Sequence, residues 1–355
     1  MPRGPRAGPP ARVVSHQPNP VIISMLEHMQ SHVPRARHLH LQLGGHLDST
    51  MDPDSEAMVV TFFSHCVVMR QPSVLRSLSL TLAECRWQSL FVQTQAMRRM
   101  LQPTLPLEQL AVEVSRLRMS DDLWTGLATV LHRRITTAPL RALRLGACSG
   151  ESAIVGLVAA ALQSLERLDL LWHGLHHAFL SQLVLRLRGL QRVQCHTVCL
   201  ELLGVVDQPM AHVECQCSRS LLQVLLSMPT VRELSLRISN HPLVPGPVVG
   251  PNASQSLCVL RLGLANTGLA SHSFRDLWLH ALRLPALRHF VCDARSNQID
   301  HHGLVASHAV PRKPVRVWHI NLRNNPRLIN RGQLHLWRQC VLAAYAHVPR
   351  CDILV

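Results

Sequence analysis

Along most of the chain the apolar residues recur in one short phrase, apolar-x-x-apolar-x-apolar. It reads Leu75/Leu78/Leu80, Leu107/Leu110/Val112, Leu140/Leu143/Leu145 and Leu165/Leu168/Leu170 in the first half. It continues as Leu190/Val193/Cys195, Met210/Val213/Cys215, Val231/Leu234/Leu236, Leu257/Leu260/Leu262, Leu287/Phe290/Cys292 and Val317/Ile320/Leu322, with a weaker first copy at Ala36/Leu39/Leu41. The eleven starts lie 20 to 39 residues apart. The second and third apolar residues share one face of a short extended strand, and the residues beside them point to the other face. Self-similarity at such a period is the mark of a repeat array, whose units bury their apolar faces against one another.

Between the phrases lie helix-length apolar segments. Ser120-Asp121-Asp122 precedes the Leu123–Arg134 segment and places acids in its first turn and bases in its last, as a helix dipole favours. Similar segments run Glu151–Leu165, His176–Leu187, Ser218–Met228, Ser271–Leu284 and Gly332–Ala346, and Asp52-Pro53 reads as another helix start. From 240 to 256 four prolines and two glycines predict a loop in place of a helix. The predicted organisation is a basic, Pro-rich disordered tail over 1–22 and a repeat array of about eleven units over 23–355.

After each strand a turn carries its backbone polar groups inward, where an Asn or Cys side chain can satisfy them. Asn325 and Cys148 stand at that offset, with Asn266 and Asn297 one or two residues beyond it. In these residues the chain resembles the leucine-rich-repeat superfamily, in its ribonuclease-inhibitor-like subtype, over roughly 36–355. The resemblance implies an α/β solenoid shaped as a horseshoe, with parallel strands on the concave face and helices on the convex face. It also implies a protein-binding role, as an adaptor or inhibitor module.

The outward strand positions would line the concave face. The expected partner-binding set is Arg144, Arg167, Asp169, Arg192, His212, Glu214, Glu233, Arg237, Arg261 and Asp293. Arg323, Glu113, His38, His40, His196, His289 and His319 complete the predicted lining, with a net charge near +1. Mixed signs suit a protein partner, through Arg–carboxylate pairs. Trp172, just past a strand, is a further candidate contact.

Composition adds a second expectation. The chain of 355 residues is 47% hydrophobic, enough for a packed core, and its 36 basic residues exceed 21 acids by a formal +15. Between 312 and 338 stand Arg312, Lys313, Arg316, Arg323, Arg327, Arg331 and Arg338 with no acid among them. That run is the alternative site, for RNA or another polyanion. Aromatics amount to 4%, little material for stacking bases. No phosphate-cradling loop, nucleophile elbow or H-E-x-x-H occurs, so the expectation is a non-enzymatic scaffold without cofactor or catalytic residues. His212/Cys215/Cys217, Cys195/Cys199 and His173/His176/His177 have the residue types of metal ligands, but core packing of the cysteines is the expected reading. Eleven cysteines without a secretory signal predict reduced thiols and a cytoplasmic location, with the nucleus as the alternative.

Overall fold

The computed structural model describes residues 24, 37–43, 75–83, 101, 106–115, 121–137, 140–204, 216–239, 254–300, 315–328 and 331–355. The predicted tail, the Asp52-Pro53 helix start and the core of the 240–256 loop lie outside these residues. Eleven strands form one open, all-parallel sheet, and their order in space is their order in sequence. They are β1 (His38–Leu43), β2 (Ser77–Ala83), β3 (Gln109–Ser115), β4 (Ala142–Ala147), β5 (Arg167–Leu175), β6 (Thr197–Gly204), β7 (Glu233–Ser239), β8 (Val259–Gly263), β9 (His289–Asp293), β10 (Val317–Asn321) and β11 (Arg350–Leu354). Described helices alternate with them: α1 (Asp121–Thr137), α2 (Glu151–Ser164), α3 (His177–Arg188), α4 (Gln216–Ser227), α5 (Ser271–Arg283) and α6 (Arg331–Ala344). Each falls within three residues of its predicted bounds at either end. The combination is an α/β repeat architecture compatible with a solenoid.

The phrase explains the register. Leu143, Leu168, Val198, Leu234, Leu260, Phe290 and Trp318 face one another on successive strands, as do Leu145, Leu170, Leu200, Leu236, Leu262, Cys292 and Ile320. All are buried and belong to one hydrophobic cluster with helix residues such as Trp124, Leu157, Leu183, Leu222 and Leu277. The opposite strand face is at least partly open to solvent at nearly every described position.

Two copies of the phrase sit elsewhere than predicted, and a third lies outside the described residues. Residues 190–195 form an irregular segment, and the strand begins two residues later, from Cys195/Val198/Leu200. Apolar residues at 190, 193, 195, 198 and 200 satisfy the phrase in two phases, and only the later one continues into the buried Leu202. The Met210 copy lies outside the described residues, and β6 pairs directly with β7. The last predicted copy is displaced by two residues: Trp318 and Ile320 hold the inward positions, preceded by buried Val315. An eleventh strand at Val348/Cys351/Ile353 went unread, because a cysteine holds its middle slot and Pro349 interrupts it.

With the phase corrected, Thr267, Asn297 and Asn325 all stand ten residues after the first apolar residue of their copy, and they form a ladder through the turns. Asn297 Oδ1 accepts from the Thr267 and Leu269 N–H groups at 3.0 and 2.9 Å, and its Nδ2 donates to the Leu264 and Ala294 carbonyls at 2.7 and 3.0 Å. Asn325 repeats the arrangement one turn on, accepting from Asn297 and Ile299 and donating to Ala294 and Leu322. Thr267 ends the series, its hydroxyl donating to the Leu264 carbonyl at 2.9 Å. Asn266, a candidate for this role, is instead an exposed residue in left-handed conformation, with φ 55°. At Gly150 the equivalent turn folds over Trp124: φ is +77°, and a Cβ there would lie 2.3 Å from the indole ring.

Candidate functional site

The sheet positions its outward side chains in rows about 4.8 Å apart from strand to strand. The middle row runs through Ser79, Ala111, Arg144, Asp169, Cys199, Ser235, Arg261, Val291, His319 and Asp352. Of the predicted lining, Glu113, Arg144, Arg167, Asp169, Glu233, Arg237, Arg261, His289, Asp293 and His319 are strand residues on this face. Arg192 stands in the irregular segment before β6, His196 one residue ahead of that strand, and Arg323 in the turn after β10. His212 and Glu214 lie outside the described residues. Glu201, Arg350 and Asp352 join the face unforeseen, because their copies were misphased or unread. The described outward positions therefore carry five arginines against six acids, Glu113, Asp169, Glu201, Glu233, Asp293 and Asp352, and the expected slight positive balance is reversed.

Most of these charges are matched. Arg167 Nε donates to both oxygens of Asp169 at 3.2 and 3.1 Å, and that hydrogen bond is the main reason its guanidinium titrates above its ordinary value. Arg237 Nη1 reaches Glu201 across adjacent strands at 2.7 Å, Arg295 holds Asp293 at 3.2 Å, and Arg350 holds Asp352 at 3.3 Å. Arg144 and Arg261 differ. Both are exposed, and neither has an ion pair or side-chain hydrogen bond among the described residues. They sit four strands apart in the middle row, roughly 19 Å, with Asp169, Cys199 and Ser235 between them. Each is followed two positions later by a glycine. A Cβ on Gly146 or Gly263 would stand 2.7 Å from Glu113 Cγ or 2.9 Å from Arg237 Cγ, so the missing side chains let the neighbouring charged stems lie across.

A comparison with protein-family models matches none, and a comparison with curated proteins likewise finds no match. The site thus rests on its own geometry.

The remaining candidates disperse. Trp172 is not at a rim: it is buried and stacked on Phe179, ring centroids 4.1 Å apart, because β5 runs through Leu175 and the indole continues its inward alternation. The basic run divides. Arg316 precedes β10 and Arg323 follows it, about 20 Å apart at the strand's rise. Arg327 shares the later turn, Arg338 is exposed on α6, and Arg312 and Lys313 lie outside the described residues, as does any side-chain detail of Arg331. The histidines near α3 do not converge. His173 lies on the open face, whereas His176 caps α3, its Nδ1 accepting from the Phe179 N–H at 3.3 Å and its Nε2–H facing Glu151. His177 meets Ser181 Oγ and, at 3.8 Å, Cys217 Sγ of α4. No group of three or more potential metal ligands occurs among the described residues. No helix among them is long and apolar enough to cross a membrane.

The described cysteines are all free thiols, and burial separates them. Desolvation pushes the Cys292 thiol up to about 12, and the Cys195 and Cys351 thiols up to about 11. With iodoacetamide at mildly alkaline pH, Cys340, which is exposed, is expected to be alkylated while Cys195 and Cys292 are spared until denaturant is added. Peptide mass mapping checks this, and native alkylation of Cys292 at the Cys340 rate would refute its placement. The sign of the linkage follows: the folded chain keeps these protons where the unfolded chain releases them, so stability falls as pH rises from about 9 through 11 to 12.

Proposed function

We propose that the chain is a leucine-rich-repeat protein of the ribonuclease-inhibitor-like kind and a non-enzymatic interaction scaffold. Its partner is a protein, docked on the open face of the sheet. The parallel strands, the helical returns and the asparagine ladder support the family reading. The observation that carries the binding reading is the pair Arg144 and Arg261, exposed and unmatched on a face whose other arginines are occupied by carboxylates. Two arginines anchored roughly 19 Å apart on the sheet suit two carboxylates of one folded partner. A hydrogen-bonded sheet keeps them in place before binding, which lowers the ordering cost of association.

The test is affinity capture from cell lysate with the wild-type chain, the double variant Arg144→Glu/Arg261→Glu, and a control, Arg323→Glu/Arg327→Glu. The expected outcome is one protein that survives nuclease treatment, stays with the control and is lost by the double variant, whose melting temperature is unchanged. Surface charges of this kind contribute about 0.2–1 kcal/mol each when paired, so reversal of both weakens binding by about tenfold or more once repulsion is added. Capture that disappears with nuclease, or that is indifferent to the double variant, overturns the reading.

A further inference from the structure

We propose a second docking surface: the edge of the sheet at which the strands begin, from β7 to β10, is a rail for an extended acidic peptide. The residue just before each strand belongs to one continuous backbone ladder. The N–H groups of Arg76 and Ser77 both donate to the Arg37 carbonyl, at 2.8 and 3.0 Å, and the same fork repeats from strand to strand until Arg316 and Val317 donate to Arg288. The side chains of this row are therefore held in register at about 4.8 Å per strand. In its first half the row neutralises itself: Glu108 and Glu166 interrupt it, and Arg76 is tied to the Pro106 carbonyl and lies 3.7 Å from Glu108. From Arg232 through Cys258 and Arg288 to Arg316 it holds three arginines and no acid. All three are exposed, with no ion pair or side-chain hydrogen bond among the described residues. Arg350 on β11 stands in the next row, beside Val317, and is held by Asp352, whereas Arg283 adds a charge from the last turn of α5.

This alignment is invisible in the sequence, where Arg232 and Arg316 are 84 residues apart. The width of the rail selects its occupant. It is one residue broad, and the next row brings Glu233 on β7, so a double helix seated here would press phosphates against a carboxylate. A single strand would find nothing to stack on, since the one large hydrophobic residue exposed among the described residues is Leu185. An extended peptide is narrow enough, and its alternate residues recur about every 7 Å, so three carboxylates span the roughly 14 Å from Arg232 to Arg316 and meet Arg288, about 10 Å along, through the reach of its long side chain. Each can be met by an arginine fork. The rail is separate from the open face and does not depend on Arg144 or Arg261.

The probe is a fluorescein-labelled peptide alternating Asp and Ser, titrated with the full chain at low salt and read by anisotropy. Saturable binding is expected. It should weaken by about tenfold or more in Arg232→Glu/Arg288→Glu/Arg316→Glu and stay within about twofold in Arg323→Glu/Arg327→Glu, at the opposite edge. Thermal melting verifies the fold. Should the triple variant unfold, Arg288→Ser and Arg316→Ser singly are each expected to weaken binding about threefold. Absence of saturable binding, or equal weakening at both edges, overturns the rail. A short DNA duplex that displaces the peptide at lower concentration than the unlabelled peptide does, and loses that ability in the triple variant, assigns the edge to nucleic acid and overturns the peptide.

Discussion

Replacing Asn297 with alanine is expected to destabilise the carboxy-terminal repeats by about 3 kcal/mol or more, one of the two largest single-residue effects in the chain. Asn297 is buried and serves four backbone groups that no other side chain reaches together: two N–H donors in the turn after β8, and the Leu264 and Ala294 carbonyls. Truncation orphans the Thr267 and Leu269 N–H groups in a dry interior, where each costs about 1–3 kcal/mol, while the two carbonyls keep the Thr267 hydroxyl and the Asn325 amide. The sum is non-additive, because the turns can shift and admit water. Asn297→Thr is expected to lose less, since Thr267 serves a neighbouring turn through its hydroxyl. Denaturant unfolding read by circular dichroism measures the effect. An Asn297→Ala midpoint equal to wild type would mean that the ladder does not exist in solution.

Trp318→Ala is expected to cost about 3–5 kcal/mol, the range for a large aromatic removed from a core. Trp318 is fully buried on β10 and joins β9 to the end of the array, its ring 4.5 Å from Phe290, 5.8 Å from Trp278 and 5.3 Å from Tyr345. The indole N–H has no hydrogen-bond partner among the described residues. Trp318→Phe keeps most of the apolar volume and removes that buried donor, so its loss should be under about 1.5 kcal/mol. Trp278 makes the contrast, because its Nε1–H donates to the Tyr345 hydroxyl at 3.1 Å and Trp278→Phe would remove that bond. A Trp318→Phe variant as unstable as Trp318→Ala would contradict the packing described.

How much of this could be read in the sequence depended on whether one residue pattern admitted one structure. The Leu140, Leu165, Val231, Leu257 and Leu287 copies each contain three apolar residues at fixed spacing, and each became a strand in the expected register. Around Leu190 and Val317 the apolar residues continue at intervals of two and three, so the same phrase fits in more than one phase. Only strand pairing chooses between phases, and pairing is a property of residues some thirty positions away. The consequences reached the site. Arg192 and Arg323 entered the predicted lining through wrong phases, and Glu201 was missed for the same reason. Charge matching was less legible still. Nothing local in the sequence distinguishes Arg144 from Arg237: Arg144 has Ala111 on one side and on the other Asp169, which Arg167 already holds, whereas Arg237 faces Glu201.

Because strand order in space repeats strand order in sequence, hydrogen bonding never asks a strand to reach past its neighbour. Copies of the phrase, counted in their corrected phase, start between 25 and 39 residues apart, yet the paired segments are only five to nine residues long. Evolution can therefore lengthen or shorten the connecting returns almost freely. A gained or lost residue in a return leaves every rung aligned, whereas one inserted inside a strand turns its inward residues outward and severs the row at that point. Repeat length can then drift in the returns without disturbing the sheet, whereas the registered strand positions tolerate no such change.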